Sequence, residues 1–366
     1  MTFDLVLVGF GNVARRFVRL LIERRAALSR EAIDVRIVGI ATRRHGQRYA
    51  ARGLEAAALA DRVERGEPIG PGSFASATAF IRNSVARSAP AARQGRLVVV
   101  ESTTLDVMRG QPAIDHVRAA LRGRAHVVTV NKGPIAFAFR QLARAAERAN
   151  RRFLFEGAVM DGIPIFNLIR EALPCVSITS FRGVVNSTTN YLLTAMESGE
   201  SFDAALLAMQ RAGTAEAEAS FDVDGWDAAA KTAGLANVLL GAQLTPALVA
   251  REGVRHVTPA RAAAARAAGR RLKLVVQAEG LGRDARARVK LEELSGDDLL
   301  AGLEGQQNAL ILETDLLGEL AIVQRGSGLT PTAYALLSDL VTIGRWRLAQ
   351  RGVRPARRRA RRHRSL

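Results

Sequence analysis

The sequence predicts an α/β protein in which a doubly wound parallel sheet is followed by a second domain of α+β type. A short apolar run at residues 3–8 leads directly into two glycines and a helical pattern. Apolar runs then alternate with helical patterns, as in successive βαβ units. Beyond about Pro164, several helical patterns are followed by strand-like segments, which is typical of an α+β domain with a largely antiparallel sheet.

The first half supplies the elements of the doubly wound sheet. Helical spacing of apolar residues predicts helices at residues 13–28 and 135–148, whereas residues 43–90 show no clear periodicity. Ligands bind at the carboxyl ends of parallel strands, so the polar residues that close the strands are candidate site residues. After residues 3–8, the predicted strands lie at 33–41, 97–103, 126–134 and 152–158.

The second half changes in character. Four strand-like segments close it, and one further helix is predicted at residues 331–345. We found no internal repeat. The predicted helices lie at 165–172, 189–197, 203–212 and 226–241, and the predicted strands at 176–185, 272–279, 287–294, 308–314 and 319–325.

Length and composition indicate a globular protein. The chain has 366 residues, of which 48% are hydrophobic, so a sizeable core is expected. Its one cysteine, Cys175, excludes an intrachain disulfide and is expected to be a small buried hydrophobe. No apolar stretch approaches the ~20 residues of a membrane helix, so we expect no membrane contact and a cytoplasmic location.

Positive charge is concentrated at the carboxyl end. The formal net charge is +18, and residues 351–366 contain eight arginines and no acid, which predicts a disordered basic tail. A nucleic-acid-binding or scaffolding protein that uses this tail is one alternative. Because no aromatic interleaving accompanies the tail, we expect no nucleic-acid partner.

Lysine is rare in this chain, and each lysine is therefore a candidate for chemistry that arginine cannot perform. An ammonium group can release a proton after modest pKa tuning, whereas a guanidinium group practically cannot. Of 53 lysines and arginines, only four are lysines, namely Lys132, Lys231, Lys273 and Lys290.

The glycine turn after the first strand predicts a Rossmann-type dinucleotide site. Gly9 permits a tight turn, Gly11 lets a pyrophosphate approach the backbone, and Ala14 allows close packing of helix on strand. Asn12 and Val13 open the helix, whose free N–H groups face the ligand.

The end of the second strand favours NADP over NAD. In NAD-selective proteins this strand usually ends in an acid that binds the ribose hydroxyls. Here Arg43 and Arg44 follow Thr42 instead, and two guanidinium groups suit a 2′-phosphate. NAD and a merely solvated loop remain the alternatives.

A cluster of acids precedes one of the four lysines. The segment Ala215–Lys231 contains five acidic residues, and Asp227 and Lys231 are spaced i and i+4 at a predicted helix start, on one face. Together with the preceding segment GVVNSTTNYLLTAM (183–196), it resembles homoserine dehydrogenases, whose signature is A-E-x-D-P-x-x-D-V-x-G-x-D-x-x-x-K. The residues in register are Glu216, Asp222, Val223, Gly225, Asp227 and Lys231.

Family-like segments occur in order along residues 3–345. They are VGFGNVA, VEST (100–103), VNKGPIA (130–136), FEGAVMDGIPIF (155–166) and GSGLTPTAYALLSDL (326–340). The resemblance implies a Rossmann domain at 1–135, a catalytic and dimerisation domain at 136–328, and a helix at 329–350 that returns to the first domain, followed by the tail. It also implies a homodimer.

The resemblance implies the reversible oxidation of L-homoserine to L-aspartate 4-semialdehyde, with hydride passing to a nicotinamide. Lys231 would transfer the proton or polarise the carbonyl, Asp227 would position Lys231, and Lys132 would be a second active-site lysine. The resemblance further implies substrate binding by Glu216, Asp222, Asp227 and Lys231, cofactor binding by Thr103, Lys132 and Gly328, and a sodium site formed by Glu156, Val159, Asp161 and Ile163.

Three departures from the family pattern stand near the predicted site. Glu218 and Ala219 replace an Asp-Pro pair, Ser187 replaces a glycine, and Asp161 lies in a stretch that is glycine-rich in the family. They leave open an NADP-linked oxidoreductase of the same fold that acts on another small amino acid or aldehyde.

Overall fold

A computed structural model describes residues 1–70, 76–106, 108–212, 219–326 and 328–352. Within these residues the chain forms two six-stranded sheets. The strands of the first sheet are β1 (Thr2–Val8), β2 (Asp34–Thr42), β3 (Gly46–Tyr49), β4 (Leu97–Glu101), β5 (His126–Thr129) and β6 (Phe153–Leu154).

The first sheet has the order β3-β2-β1-β4-β5-β6, and all neighbours are parallel except β2 and β3. Its central strands β1 and β4 are buried on both faces, as expected for a parallel sheet covered by helices. The strand order reverses between β1 and β4, and this reversal opens a crevice at the carboxyl ends of the strands. The predicted doubly wound sheet is confirmed.

The helices around this sheet differ in part from the predictions. The helix predicted at 13–28 is two helices that meet at Arg24, and the helix predicted at 135–148 is interrupted at Ala138. The described part of residues 43–90 contains β3, two complete helices and the start of a third, whose apolar residues follow too weak a helical period to be recognised in the sequence. The helices are α1 (Asn12–Glu23), α2 (Arg25–Arg30), α3 (Ala56–Glu64), α4 (Ala77–Arg87), α5 (Ala89–Arg93), α6 (Ala113–Arg122), α7 (Gly133–Phe137) and α8 (Phe139–Ala149).

The second sheet has the order β12-β11-β7-β9-β10-β8 and is antiparallel except for the short β8–β10 pair, as the sequence predicted. Its strands are β7 (Ile178–Val184), β8 (Ala250–Arg251), β9 (Arg270–Glu279), β10 (Arg286–Ser295), β11 (Asn308–Thr314) and β12 (Gly318–Gln324). The accompanying helices are α9 (Ile165–Ala172), α10 (Ser187–Met196), α11 (Phe202–Arg211), α12 (Ser220–Val223), α13 (Trp226–Leu239) and α14 (Pro259–Ala267).

The last helix, α15 (Leu329–Ala349), returns to the first sheet and is longer than the helix that the sequence pattern predicted at 331–345. Its buried Leu336 and Leu340 share one apolar core with Phe3 and Leu5 of β1. Gly344 permits the close approach, because a Cβ there would lie 2.3 Å from the Cδ1 atom of Ile33. This packing brings the start of α15 to the edge of the first sheet.

Further expectations from the sequence concern Cys175, membrane helices and the basic tail. Cys175 is exposed rather than buried, because it occupies a turn before β7 with a left-handed φ of 63°. Among the described residues, no helix is both long and apolar enough to cross a membrane. The predicted tail falls almost wholly in residues 353–366, which lie outside the described part of the chain.

Candidate active site

The glycine turn lies at the switch point of the first sheet. Gly9 has a φ of 89°, and a Cβ there would lie 2.5 Å from the main-chain oxygen of Ser102, so only glycine fits. Around Gly11, in contrast, the space that a Cβ would occupy is open. Asn12 and Val13 form the first turn of α1, whose N-terminus has no side-chain cap within the described residues. Its N–H groups are therefore free to bind an anion.

A buried glutamate that sequence reasoning missed organises the end of β4. The side chain of Glu101 accepts hydrogen bonds from the main-chain N–H of Thr103 (3.1 Å) and from the hydroxyls of Thr103 and Thr129. Asn131 donates its side-chain amide to the Thr103 carbonyl at 3.0 Å. The predicted cofactor residue Thr103 is thus fixed beside the glycine turn. In the sequence, only the presence of a glutamate in the family-like segment VEST (100–103) indicated this residue.

Arg43 and Arg44 lie in the tight turn between β2 and β3. The Thr42 hydroxyl accepts the N–H groups of Arg44 (3.2 Å) and His45 (2.8 Å), which stabilises the turn. Both arginine side chains are exposed, and neither guanidinium group has an ion-pair or hydrogen-bond partner among the described residues. Two free cations therefore stand at the end of β2, where an adenosine ribose binds in sheets of this type.

Gly328 lies immediately before α15, with a φ of 125° that favours glycine. As at Gly11, the space around it is open and no side chain of the described residues caps the helix. Arg16 of α1 donates to the hydroxyl of Thr330 at 2.9 Å and so ties the first turn of α15 to α1. The structure brings two uncapped helix N-termini to the same edge of the sheet.

Three charged groups, two from α13 and one from the residue before α7, form the centre of the site. Asp227, at the start of α13, lies 2.9 Å from the Nζ atom of Lys132 and 3.0 Å from that of Lys231. Lys132 immediately precedes α7, so residues 95 positions apart in sequence share one carboxylate. The Nζ atom of Lys231 also donates to the Val185 carbonyl at 2.6 Å. These contacts bring together the predicted catalytic residues.

The electrostatics of this cluster keep its centre charged. Burial opposes the charge of Asp227, but the charges of Lys132 and Lys231 outweigh it and lower the pKa of this carboxyl below its ordinary value. Burial likewise lowers the pKa of Lys132, yet the charge and hydrogen bond of Asp227 reverse this effect, so the pKa is raised. For Asp222, burial and the nearby charge of Asp227 raise the pKa.

Asn186 holds the two carboxylates of the site in place. Its side-chain oxygen accepts the N–H of Thr189 at 2.8 Å and thereby caps α10. This cap directs the amide nitrogen outward, where it donates to Asp222 at 2.7 Å and to Asp227 at 2.8 Å. Asn186 was not predicted as a site residue, although it stands in the family-like segment NSTTN. Its cap position preceding α10 was the available signal.

The close packing of α7 on α13 positions the lysines. Gly234 makes it possible, since a Cβ there would lie 2.8 Å from the Cδ1 atom of Ile135. Asn237, one turn later, donates to the carbonyls of Ile135 (3.0 Å) and Ala136 (3.3 Å) at the end of α7. The short helix that follows Lys132 is therefore fixed against the helix that carries Lys231.

Glu156, predicted as part of a sodium site, contacts the first turn of α9. Its two carboxyl oxygens accept the main-chain N–H groups of Phe166 (2.8 Å) and Asn167 (2.6 Å), in the first turn of α9. N–H donors at a helix N-terminus suit an anion rather than a cation. Burial and the neighbouring Asp339 raise the pKa of Glu156 to about 7. The carboxylate therefore acts as a helix cap.

The other predicted cation ligands lie in the loop after Glu156. Val159 and Ile163 are buried, and the Ile163 carbonyl accepts the N–H of Ile165 at 2.9 Å. Asp161 takes the left-handed conformation that glycine would favour, with a φ of 49°. Its carboxylate accepts hydrogen bonds from Thr332 (3.1 Å) and Gln324 (3.5 Å), so it joins α15 to β12.

The predicted substrate residue Glu216 lies outside the described residues. Of the four lysines, Lys290 is exposed, and Lys273 is fully buried. The Lys273 ammonium donates to the side chain of Asn190 (2.8 Å) and to the Leu303 carbonyl. Burial lowers the pKa of Lys273 to about 8. Lysine scarcity thus marked the two active-site lysines and also one buried structural lysine.

A sheet of this strand order, with a glycine turn at its switch point and a separate antiparallel domain, places the chain among the nucleotide-dependent oxidoreductases. Residues 9–156 match the family model described as the NAD binding domain of homoserine dehydrogenase, and residues 164–341 match the model described as homoserine dehydrogenase. The chain belongs to the homoserine dehydrogenase family, whose members are oxidoreductases that act on a CH–OH group with a nicotinamide cofactor.

Similar proteins cover nearly the whole chain. The NAD(+)-dependent homoserine dehydrogenase of Pseudomonas canavaninivorans is 36% identical over 93% of this chain and 96% of its own. The homoserine dehydrogenase of Methanocaldococcus jannaschii is 32% identical over 93% of this chain and 98% of its own. The crystal structure of a homoserine dehydrogenase from Thiobacillus denitrificans superposes with a TM-score of 0.77 at 27% identity, over 96% of this chain and 74% of that chain.

Proposed function

We propose that Lys231, Asp227 and Lys132 carry out the proton chemistry by which this chain oxidises L-homoserine to L-aspartate 4-semialdehyde. The observation that supports this proposal is the single carboxylate of Asp227 in contact with both ammonium groups at the carboxyl edge of the first sheet. Bound nicotinamide supplies the hydride acceptor, and the protein must orient the hydroxyl and remove one proton.

Lys231 is the proton-transferring group in this proposal. In the oxidation its neutral amine accepts the hydroxyl proton, and in the reverse reaction its ammonium returns that proton to the carbonyl oxygen. Asp227 stabilises the resulting ammonium at 3.0 Å, and the Val185 carbonyl fixes its direction at 2.6 Å. Lys132 supplies a second positive charge that stabilises the negative charge developing on the substrate oxygen.

Asp222 binds the ammonium group of the substrate. Because burial and Asp227 raise the pKa of Asp222, neighbouring groups do not fully stabilise its negative charge in the free protein. A substrate ammonium group beside Asp222 would stabilise that charge. Asn186 bridges Asp222 and Asp227 by donating to both carboxylates. By resemblance, Glu216 is a second acid for the same ammonium.

Gly9, Gly11 and Thr103, with Gly328 at the start of α15, form the proposed cofactor site. Open space at Gly11 and Gly328 and the free N–H groups of the two helices fit a pyrophosphate. We further propose a preference for NADP, because the unpaired Arg43 and Arg44 fit a 2′-phosphate. The relative from P. canavaninivorans is named as NAD(+)-dependent, so the preference requires a direct test.

Steady-state kinetics of the purified chain with L-homoserine test the reaction. We expect turnover with homoserine and a drop of about 10²–10⁴-fold in kcat for Lys231→Arg, since a guanidinium cannot accept the proton. Lys132→Arg retains the positive charge and should lose less. Absence of homoserine oxidation in the folded wild-type protein would refute the reaction, and near-normal activity of Lys231→Arg would refute the assigned role.

Cofactor preference is tested by kcat/KM for NADP and NAD in the double variant Arg43→Ala, Arg44→Ala. Loss of two charge-assisted contacts should lower the NADP value about 10²-fold and leave the NAD value nearly unchanged. Arg48→Ala is the matched control, because Arg48 is an exposed arginine in the same hairpin. A wild-type preference for NAD, or equal losses with both cofactors, would overturn the proposal.

Homodimerisation and a cytoplasmic location are proposed from the family resemblance. Light scattering of the purified chain checks the first, and a monomer at assay concentration would contradict it. The sodium site formed by Glu156, Val159, Asp161 and Ile163 remains a prediction from the family resemblance. We assign no step of the reaction to it.

A further inference from the structure

A cleft of about 890 Å³ lies between α6 and α8 and contains none of the proposed active-site residues. Its lining is strongly basic. The arginines that line it are Arg118, Arg122, Arg124, Arg140, Arg144 and Arg148.

The arginines follow the helical repeat on both sides of the cleft. Arg118 and Arg122 are spaced i and i+4 on α6, and Arg140, Arg144 and Arg148 continue the same spacing along α8. Side chains at this spacing share one helix face and are separated by about 6 Å along the axis. The two rows therefore form a continuous cationic surface on either side of the cleft.

This positive charge is poorly neutralised within the protein. Among the described residues that line the cleft, none is acidic, and only Arg118 has a carboxylate partner, Asp115, at 3.1 Å. On α1, in contrast, carboxylates pair with Arg15, Arg16 and Arg19. Like charges at i and i+4 destabilise a helix, so this arrangement favours an anion that bridges several guanidinium groups.

The residues that line the cleft favour some anionic ligands over others. Guanidinium groups bind phosphate oxygens in a bidentate fork. No aromatic side chain is among the described lining residues, so nucleic-acid bases would have no stacking partner. The apolar lining consists of Leu121, Leu142 and two alanines, which give a peptide no aromatic anchor. We propose that this cleft binds a linear chain of phosphate groups, of the inorganic polyphosphate type.

The test is binding of sodium polyphosphate of defined length to the full chain, measured by calorimetry at several salt concentrations. The cleft variant combines Arg140→Gln, Arg144→Gln and Arg148→Gln. Loss of three phosphate contacts should weaken binding about tenfold or more and reduce the slope of log K against log salt by about 2.

The matched control combines Arg261→Gln, Arg283→Gln and Arg286→Gln, which removes the same charge from exposed arginines outside the cleft. We expect its affinity and salt slope to remain close to those of the wild type. Equal weakening in both variants would show attraction by net charge alone and would overturn the proposal, as would absence of binding by the wild type.

A single-stranded oligonucleotide of equal charge distinguishes the phosphate chain from a nucleic acid. We expect it to bind more weakly than polyphosphate. Equal or tighter binding that is lost in the cleft variant would assign the site to nucleic acid and overturn the proposal. Homoserine oxidation without polyphosphate should be unchanged in the cleft variant, so the outcome is independent of the proposed active-site chemistry.

Discussion

Replacement of Asp227 by asparagine tests the charge balance of the active site. In the native protein two ammonium groups lie 2.9 and 3.0 Å from one carboxylate. Asparagine keeps the size of the side chain and removes its charge, so both ammonium groups lose the attraction of this carboxylate. At a separation of about 3 Å and an effective dielectric constant of about 20, that attraction is about 5.5 kcal/mol for each ammonium group. The charge and hydrogen bond of Asp227 raise the pKa of Lys132, so their loss lowers this pKa.

The sign of the effect on catalysis follows from the proposed role of Lys231. Oxidation requires the neutral amine, so its rate rises with pH as the lysine loses its proton. In Asp227→Asn the loss of this attraction favours the neutral amine, so the rise should move toward lower pH by up to about four units, whatever the decrease in kcat. Initial rates of homoserine oxidation from neutral to alkaline pH measure the shift.

Asp224→Asn is the control for this experiment. Asp224 belongs to the same acidic segment, but its side chain is only partly buried, with 42% exposure, and pairs with Arg255 at 3.1 Å. Its removal should leave the pH profile of oxidation in place. An unshifted profile in folded, active Asp227→Asn would refute the argument that the charge of Asp227 favours the ammonium form over the neutral amine.

Three further variants test other parts of the structure. Burial, with a contribution from Arg151, lowers the pKa of His126 to about 3. Because the unfolded chain binds this proton near pH 6.5, the free energy of unfolding falls by up to ~1.4 kcal/mol per pH unit between pH 6.5 and 3. In His126→Gln this contribution should disappear from the pH dependence of urea unfolding, and an identical acid slope in both proteins would contradict it. Asn186→Ala should raise KM for homoserine about tenfold, since two carboxylates lose their shared donor, and steady-state kinetics with an unchanged KM would disprove this role. Gly234→Ala should destabilise the protein by about 1–3 kcal/mol, because the new Cβ would lie 2.8 Å from the side chain of Ile135. A higher stability against urea, which is the usual result of this substitution in an exposed helix, would show that α7 and α13 pack less closely.

Sequence patterns identified those features whose physical cause is local. Gly9 and Gly11 are needed within one turn, and Asp227 and Lys231 are neighbours on one helix face. Buried strands are recognisable because both of their faces require apolar residues. These patterns were sufficient for the two-sheet architecture, the glycine turn and one half of the catalytic cluster.

Elements with weak local signals escaped prediction. The helices α3 and α4 have few buried apolar residues each, and alanines and arginines surround them, so their helical periodicity is weak in the sequence. The sequence around Asn186 indicates only a helix cap. Its hydrogen bonds to two carboxylates involve residues more than 30 positions away. The exposure of Cys175 follows from a turn conformation that its residue type does not indicate.

By itself, the sequence determined the main strands of both sheets, the glycine turn and the pair Asp227–Lys231, because each depends on residues close together in the chain. Only the tertiary structure decided that Lys132 shares the carboxylate of Asp227 and that Glu156 caps a helix. These contacts depend on the packing of α7 against α13, at Gly234, and on the placement of α9 beside the end of β6. Side chains distant in sequence meet only where the packing of whole elements brings them together.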